Sequence, residues 1–158
     1  MTESPLPSRS ELINKTAVMN QMRNAVYHLM RFLKSKNVKD MKSELLEMGR
    51  NLGSSYFKAW NISQTRLEND LKIIYETTIH SKISIRFLEN NQMVEITDEK
   101  CPLCKYKYED IDTAGCFVIM GMVESIMKEL GYKIFEALNV SESKTNGDSV
   151  CRHLYKLK

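Results

Sequence analysis

The spacing of apolar residues along this chain changes near residue 80, and this change most limits the folds that the chain can adopt. Before it, apolar residues recur every three or four positions, as on one face of an α-helix. From Lys82 to Leu88 polar and apolar residues alternate, which is the period of a half-buried strand. The 158 residues suit one domain. We therefore expect a single α+β domain over residues 8–158, preceded by a flexible tail at 1–7.

The first half of the chain predicts three helices. They begin near Ser8, at Asp40 and near Ser63, and the second ends near Trp60. The apolar stripe of the first helix is longer than one small domain needs, which predicts a homodimer. This stripe consists of Ile13, Ala17, Ala25, Leu29 and Leu33. The stripe of the second helix consists of Met41, Leu45, Met48, Leu52, Tyr56 and Ala59.

Two glycines, Gly49 and Gly53, lie four residues apart inside the second helix. Each costs about 1 kcal/mol relative to alanine in a helix interior. Their spacing puts them on one face, so they indicate close packing of that face against a neighbouring element.

The second half predicts two hairpins separated by an apolar helix. The helix runs from about Thr113 to Leu130 and ends at Gly131. The strands are Lys82–Leu88, Met93–Thr97, Tyr132–Leu138 and Ser149–Leu157. Hairpin connections give an antiparallel sheet, so we predict four such strands covered on one face by helices. A small ligand could lodge in the seam between helices and sheet.

Charge and hydropathy exclude several classes of protein. The net charge of +3 is small for a dedicated nucleic-acid binder. The longest apolar run, Cys116–Val123, is far shorter than the roughly 20 residues of a membrane span. The first five residues lack the features of a signal peptide, so we expect a cytoplasmic protein.

The four cysteines are the candidate functional residues of the chain. Cys101 and Cys104 form a C-x-x-C unit in a predicted loop, a spacing at which two thiolates can hold one metal ion. Cys116 begins the apolar helix, and Cys151 lies on the last predicted strand. Four thiolates suit tetrahedral Zn²⁺, so we predict a structural zinc site that ties these three elements together.

Three alternatives remain open for these residues. C-x-x-C is also a redox pair, although such pairs usually precede a helix in a βαβ unit, which this chain does not predict. Cysteines can also be small buried hydrophobic residues without a ligand. His153 shares a strand face with Cys151 and could replace one cysteine as a metal ligand.

The segment from Leu45 to Lys158 resembles the 4-vinyl reductase domain family of small-molecule-binding proteins. The resemblance rests on Gly49-Arg50-Asn51-Leu52-Gly53, on Cys116, and on Gly147-Asp148-Ser149-Val150-Cys151-Arg152. That family is similar in fold to the small subunits of the TRAPP vesicle-tethering complex and to the sensor domain of phenol-responsive activators. In the phenol sensors three cysteines and a glutamate hold zinc, and Cys116 and Cys151 match two of those cysteines. Val140 and Ser143 stand where the other two ligands would lie, and Cys101 and Cys104 could supply that pair instead.

The resemblance implies a zinc-containing module that binds an apolar or aromatic molecule and acts through a partner protein or a homodimer. The ten methionines and the segment Phe117–Val123 would supply a deformable apolar wall. An enzyme is the first alternative, either for vinyl reduction of a tetrapyrrole or for zinc-dependent hydrolysis. The chain has no Gly-x-Gly-x-x-Gly motif, and four cysteines would close the zinc shell to substrate. A regulator that binds nucleic acid through basic residues of the first helix is the second alternative; these residues are Lys15, Arg23, Arg31 and Lys34.

Overall fold

The structure, a computed structural model, describes residues 9–157, and side chains are described from residue 20 onward. The predicted tail at 1–7, Ser8 and the side chains of Ile13, Lys15 and Ala17 therefore lie outside the described residues. The helices are α1 (Arg9–Ser35), α2 (Met41–Ala59), α3 (Leu67–Lys72) and α4 (Phe117–Glu129). The strands are β1 (Ile83–Leu88), β2 (Met93–Asp98), β3 (Glu136–Glu142) and β4 (Cys151–Lys156).

The four strands form one antiparallel sheet in the order β1-β2-β4-β3. Two hairpins meet at its centre, where β2 pairs with β4 from Met93 opposite Lys156 to Asp98 opposite Cys151. Alternate residues of β2 and β4 are buried, so the helices cover one face, and the residues of the other face are mostly half-buried. The predicted α+β fold is confirmed. Among the helices of residues 9–157, none combines the length and apolar character needed to cross a bilayer.

The third strand is displaced along the chain from its predicted position. The sequence predicts it at Tyr132–Leu138, but β3 begins at Glu136, where pairing with Lys156 of β4 starts. Phe135 lies just before β3 and packs its ring 4.9 Å from that of Tyr155, fully buried. Phe135 is therefore buried at the entry to the strand rather than within it.

The third helix also begins later than predicted, at Leu67 rather than near Ser63. The buried carboxylate of Asp70 accepts hydrogen bonds from the backbone and hydroxyl of Thr65, which hold the preceding segment out of the helix. After Lys72 the chain continues as a π-helical segment, Ile73–Thr78, which leads towards β1.

The buried face of α2 is rotated from the predicted stripe. Leu45 is buried as expected, but Leu52 and Tyr56 are exposed, and the glycines occupy the buried face instead. A Cβ atom at Gly49 would collide with the carbonyl oxygen of Val118 in α4, and one at Gly53 would lie 2.5 Å from that of Met122. The predicted close packing of Gly49 and Gly53 is confirmed.

The buried face of α1 also differs from the prediction over the residues whose side chains are described. Ala25 is exposed and Leu29 and Leu33 are only half-buried. The buried positions are Arg23, Val26, Tyr27 and Met30. The helix turns this mixed face inward because it packs on the polar cysteine-bearing loop between β2 and α4.

Candidate functional site

The four cysteines converge on one buried point. Cys101 and Cys104 come from the loop after β2, Cys116 immediately precedes α4, and Cys151 opens β4. Their sulfur atoms all lie within 4.8 Å of one another, and all four residues are buried as free thiols. The fold therefore brings together residues that are up to 50 positions apart in the chain.

This donor set fits a tetrahedral metal ion. A Zn²⁺ ion with bonds of about 2.3 Å to four sulfurs would hold those sulfurs roughly 3.8 Å apart. The observed separations are close enough that small side-chain adjustments would bring them to that value. Four protein ligands would leave no open coordination position, which is the arrangement of structural sites.

The pKa is lowered for two of the four thiols and raised for the other two. Hydrogen bonding from the neighbouring thiol of Cys101 lowers the pKa of Cys104 to about 7. The same kind of bonding lowers the pKa of Cys151 below its usual range. Burial raises the pKa of Cys101 and of Cys116. The neighbouring thiols stabilise a thiolate at this point. A metal cation would stabilise the thiolate form of all four cysteines by binding their sulfur atoms.

His153 lies next to the cluster, on the buried face of β4. Its Nδ1 atom is 2.8 Å from the hydroxyl of Tyr75, and the two rings stack with centroids 5.8 Å apart. The Tyr75 hydroxyl also lies 2.6 Å from that of Tyr155. The four mutually close ligand atoms are those of the cysteines, whereas His153 belongs to this adjoining polar chain.

The hydroxyl groups of Tyr27 and Ser143 border the cysteines, and only Ser143 stands at a position that the resemblance singles out. The Tyr27 hydroxyl of α1 lies 3.8 Å from Cys104 Sγ and 2.6 Å from the Thr145 hydroxyl. Ser143 Oγ lies 3.9 Å from Cys151 Sγ. No local pattern marks Tyr27, which reaches the cluster from α1, whereas Ser143 reaches it from the β3–β4 turn.

The basic residues of α1 hold the cysteine-bearing loop. Arg31 forms an ion pair with Asp110 at 2.6 Å, and Lys34 donates to the carbonyl of Asp110 at 2.7 Å. Arg23 donates from Nε to the carbonyl of Pro102 at 2.8 Å. These contacts direct the basic residues of α1 from residue 20 onward at the cysteine-bearing loop.

An apolar groove of about 250 Å³ lies among the helices beside the cysteine-bearing loop. Leu52 and Tyr56 of α2 form one wall, and the exposed Met22 of α1 borders it. The remaining lining residues are Thr78, Ile79, Pro102, Leu103, Val118, Ile119 and Met122. Three of these lie in the apolar helix segment predicted to line a pocket.

The helix-to-sheet seam, where the sequence predicts the pocket, is occupied by protein side chains. Tyr75, Phe135 and Tyr155 are fully buried there and contact one another or His153. Phe117, Met120 and Val123 of the predicted wall are also buried in the core. The groove lies between helices instead, and sequence periodicity could not distinguish the two places.

Comparison with known proteins identifies the fold. No family model matches the chain, and no curated protein matches it in sequence. Among solved structures, it is similar to trafficking protein particle complex subunit 3 from Naegleria fowleri, covalently bound to palmitic acid. The TM-score is 0.72 at 12% identity, covering 90% of this chain and 96% of that one. This chain therefore has the fold of a TRAPP subunit.

Proposed function

We propose that this protein is a zinc-containing binding module related to 4-vinyl reductase domains, which holds an apolar or aromatic small molecule. The apolar groove beside the cysteine cluster carries the proposal. The protein would signal through a partner or a second copy of itself, and we place it in the cytoplasm, where thiols stay reduced.

The metal part of the proposal rests on the donor set. Cys101, Cys104, Cys116 and Cys151 would hold one Zn²⁺ ion, with His153 as the substitute if one cysteine is dispensable. Bound there, zinc would supply a cross-link between the loop, α4 and β4 rather than an open position for catalysis.

The ligand part rests on the groove and on the TRAPP-like fold. A volume of about 250 Å³ is just below the roughly 300 Å³ at which small-molecule sites usually begin. A single aromatic ring or a short alkyl chain therefore suits it better than a larger ligand. Met22 and Met122 at its walls can change rotamer to admit guests of different shape. The palmitic acid of the Naegleria subunit is an apolar ligand held by the same fold.

A binding assay with 4-propylphenol tests the groove. We expect saturable binding by calorimetry and at least a tenfold loss of affinity in Leu52→Trp, because the indole would fill the groove. Ile73→Trp is the matched control, since Ile73 and Leu52 are each 41% exposed but only Leu52 lines the groove. If no saturable binding occurs, or if both variants lose it equally, the proposed ligand site is wrong.

Native mass spectrometry of freshly purified protein tests the metal and the dimer together. We expect one zinc per chain and a mass near twice 18.4 kDa. The exposed apolar side chain of Phe32 on α1 supports a protein contact. A sedimentation mass of about 18 kDa would exclude the homodimer and leave a different partner protein.

A further inference from the structure

A second cavity, of about 240 Å³, opens on the other side of the Cys101–Cys104 turn and is strongly basic. Its lining contains four cationic side chains and one carboxylate, and the rest is Cys101 and Pro102. The cations are Arg23, Lys100, Lys105 and Lys144, and the carboxylate is Glu99. Glu99 is also paired with Lys82 at 2.6 Å, so the cations around it outnumber this one carboxylate. We call this cavity the basic pocket.

Arg23 gives the basic pocket a buried charge. The residue is only 6% exposed, and its Nε and Nη1 atoms donate to the Pro102 carbonyl and to Asn20 Oδ1. Both acceptors are neutral, and within residues 20–157 no carboxylate forms an ion pair with Arg23. Buried charges in proteins are normally paired because their desolvation is costly. An anion in the basic pocket would supply the missing counter-charge.

The basic pocket adjoins the apolar groove. Pro102 lines both cavities. On one side of it in the loop, Cys101 lines the basic pocket, and on the other side Leu103 lines the groove. On α1, Arg23 lines the basic pocket and the preceding residue, Met22, lines the groove. The walls of the groove are apolar, whereas the pocket beyond Pro102 is positive. Two adjoining cavities of opposite polarity match the two ends of an amphiphile.

We propose that the ligand of this protein is an amphiphile with an anionic head, carboxylate or phosphate, held in the basic pocket by Arg23 and the three lysines. Its apolar body occupies the groove. This inference rests on the proposed function, because it uses the same groove, and it adds the charge of the ligand. Arg23 orients the head group by its fixed guanidinium fork, and the lysines attract it from solution.

A second explanation for the four cations is that they balance the negative charge of a zinc–thiolate centre instead of binding an anionic ligand. Arg23 contacts the Pro102 carbonyl, and Lys144 donates to the Glu99 carbonyl at 2.5 Å. Lys105 lies 5.3 Å from the ring centroid of Tyr106. These contacts are directed at the loop rather than at the sulfurs. The zinc content of lysine variants separates the two roles.

A comparison of octanoate, octyl phosphate and octan-1-ol tests the inference on the full chain. The three probes share one alkyl chain and differ in the charge of the head. We expect at least one of the two anions to bind at least tenfold more tightly than octan-1-ol at low salt, and this advantage to shrink as salt screens the lysines. The anion that binds more tightly identifies the head group.

The variant Lys100→Gln/Lys105→Gln removes two charges from the basic pocket, and Lys39→Gln/Lys58→Gln removes two exposed charges that line neither cavity. We expect the first variant to lose the advantage of the anion while it keeps its zinc and its affinity for octan-1-ol. The second variant should keep all three properties.

Equal binding of octan-1-ol and both anions to the native protein would contradict the proposal of an anionic head group. It would still support the apolar groove as a ligand site. Failure of all three probes to bind would overturn the groove itself. Loss of zinc from Lys100→Gln/Lys105→Gln, with no loss in the control, would assign the cations to the metal centre and also overturn the inference.

Discussion

Glu124 is a buried carboxylate on α4 that three donors stabilise in its charged form. Arg50 Nε and Lys128 Nζ lie 3.2 and 2.7 Å from its Oε1 atom, and the backbone of Ala137 donates to Oε2 at 3.0 Å. Burial alone would raise the pKa of Glu124, but these partners together lower it below its ordinary value. This side chain thereby joins α2, α4 and the start of β3.

Replacing Glu124 with Gln should destabilise the protein by about 2 kcal/mol at pH 7, because hydrogen bonds to a charged group contribute roughly 1.5–3 kcal/mol. A carboxylate with a lowered pKa stabilises the fold above its unfolded pKa, near 4.5, and loses this contribution as the pH falls below it. Urea unfolding of both proteins from pH 3 to 7 should therefore show the difference closing in acid. A gap that stays constant with pH would contradict this account.

At the cysteine cluster, Cys104→Ser should lower both the zinc content and the melting temperature. A serine hydroxyl is a poor replacement for a thiolate ligand, and a structural zinc contributes on the order of 10 kcal/mol of apparent binding free energy. Metal analysis and thermal unfolding check this. Less than half an equivalent of zinc in the native protein, with all four thiols freely titratable in the folded state, would refute the metal centre.

The pairing of α2 with α4 is decided by glycines on both helices. Gly121 of α4 faces the Leu46 carbonyl as closely as Gly49 of α2 faces that of Val118. The neighbours are backbone atoms, which cannot move aside as a flexible side chain would. Close backbone contact therefore explains why this helix pair tolerates residues that lower helix propensity.

Gly121→Ala should cost about 3 kcal/mol, since overpacking of a rigid core usually costs 1–3 kcal/mol and here the added methyl group meets backbone. Ser55→Ala, at an exposed position of α2, is the control and should change the free energy of unfolding by less than about 0.5 kcal/mol. Chemical denaturation measures both. Equal stabilities of G121A and the native protein would show that the helices can separate without cost.

Across the whole molecule, the cysteine-bearing loop connects α1 to the rest of the domain. The rings of Tyr27 and Tyr108 lie 4.3 Å apart, and Arg23 and Arg31 add polar contacts to Pro102 and Asp110. The same loop supplies two of the four sulfurs that meet α4 and β4. If the loop becomes less ordered, α1 should therefore become less ordered as well.

Removal of metal from the protein should raise amide hydrogen exchange in residues 99–116 and in α1 together. The hairpin of β1 and β2 is the internal control and should stay protected, because its hydrogen bonds do not depend on the cluster. Exchange measured by mass spectrometry before and after chelation checks this. Unchanged exchange in the loop would show that the cluster does not hold it in place.

The sequence alone determined the class of fold and most of its elements. The change of period at residue 80 predicts the helices and both hairpins, because alternation and helical spacing are local properties of neighbouring residues. The spacing of Gly49 and Gly53 likewise indicates the close packing of α2. The C-x-x-C spacing of Cys101 and Cys104 predicts two ligands of one metal ion, and the predicted topology can bring Cys116 and Cys151 against the same loop.

Only the tertiary structure decided which faces are buried and where the cavities lie. Val26, Tyr27 and Met30 replace the predicted stripe of α1, because the loop on which the helix packs is distant in sequence. Leu52 and Tyr56 form walls of an open groove, since glycine contacts rotate α2 against α4. The basic pocket beside Arg23 has no sequence signature, because α1, the cysteine-bearing loop and Lys144 meet there only after folding. Burial and cavities depend on contacts between distant segments, which local periodicity does not record.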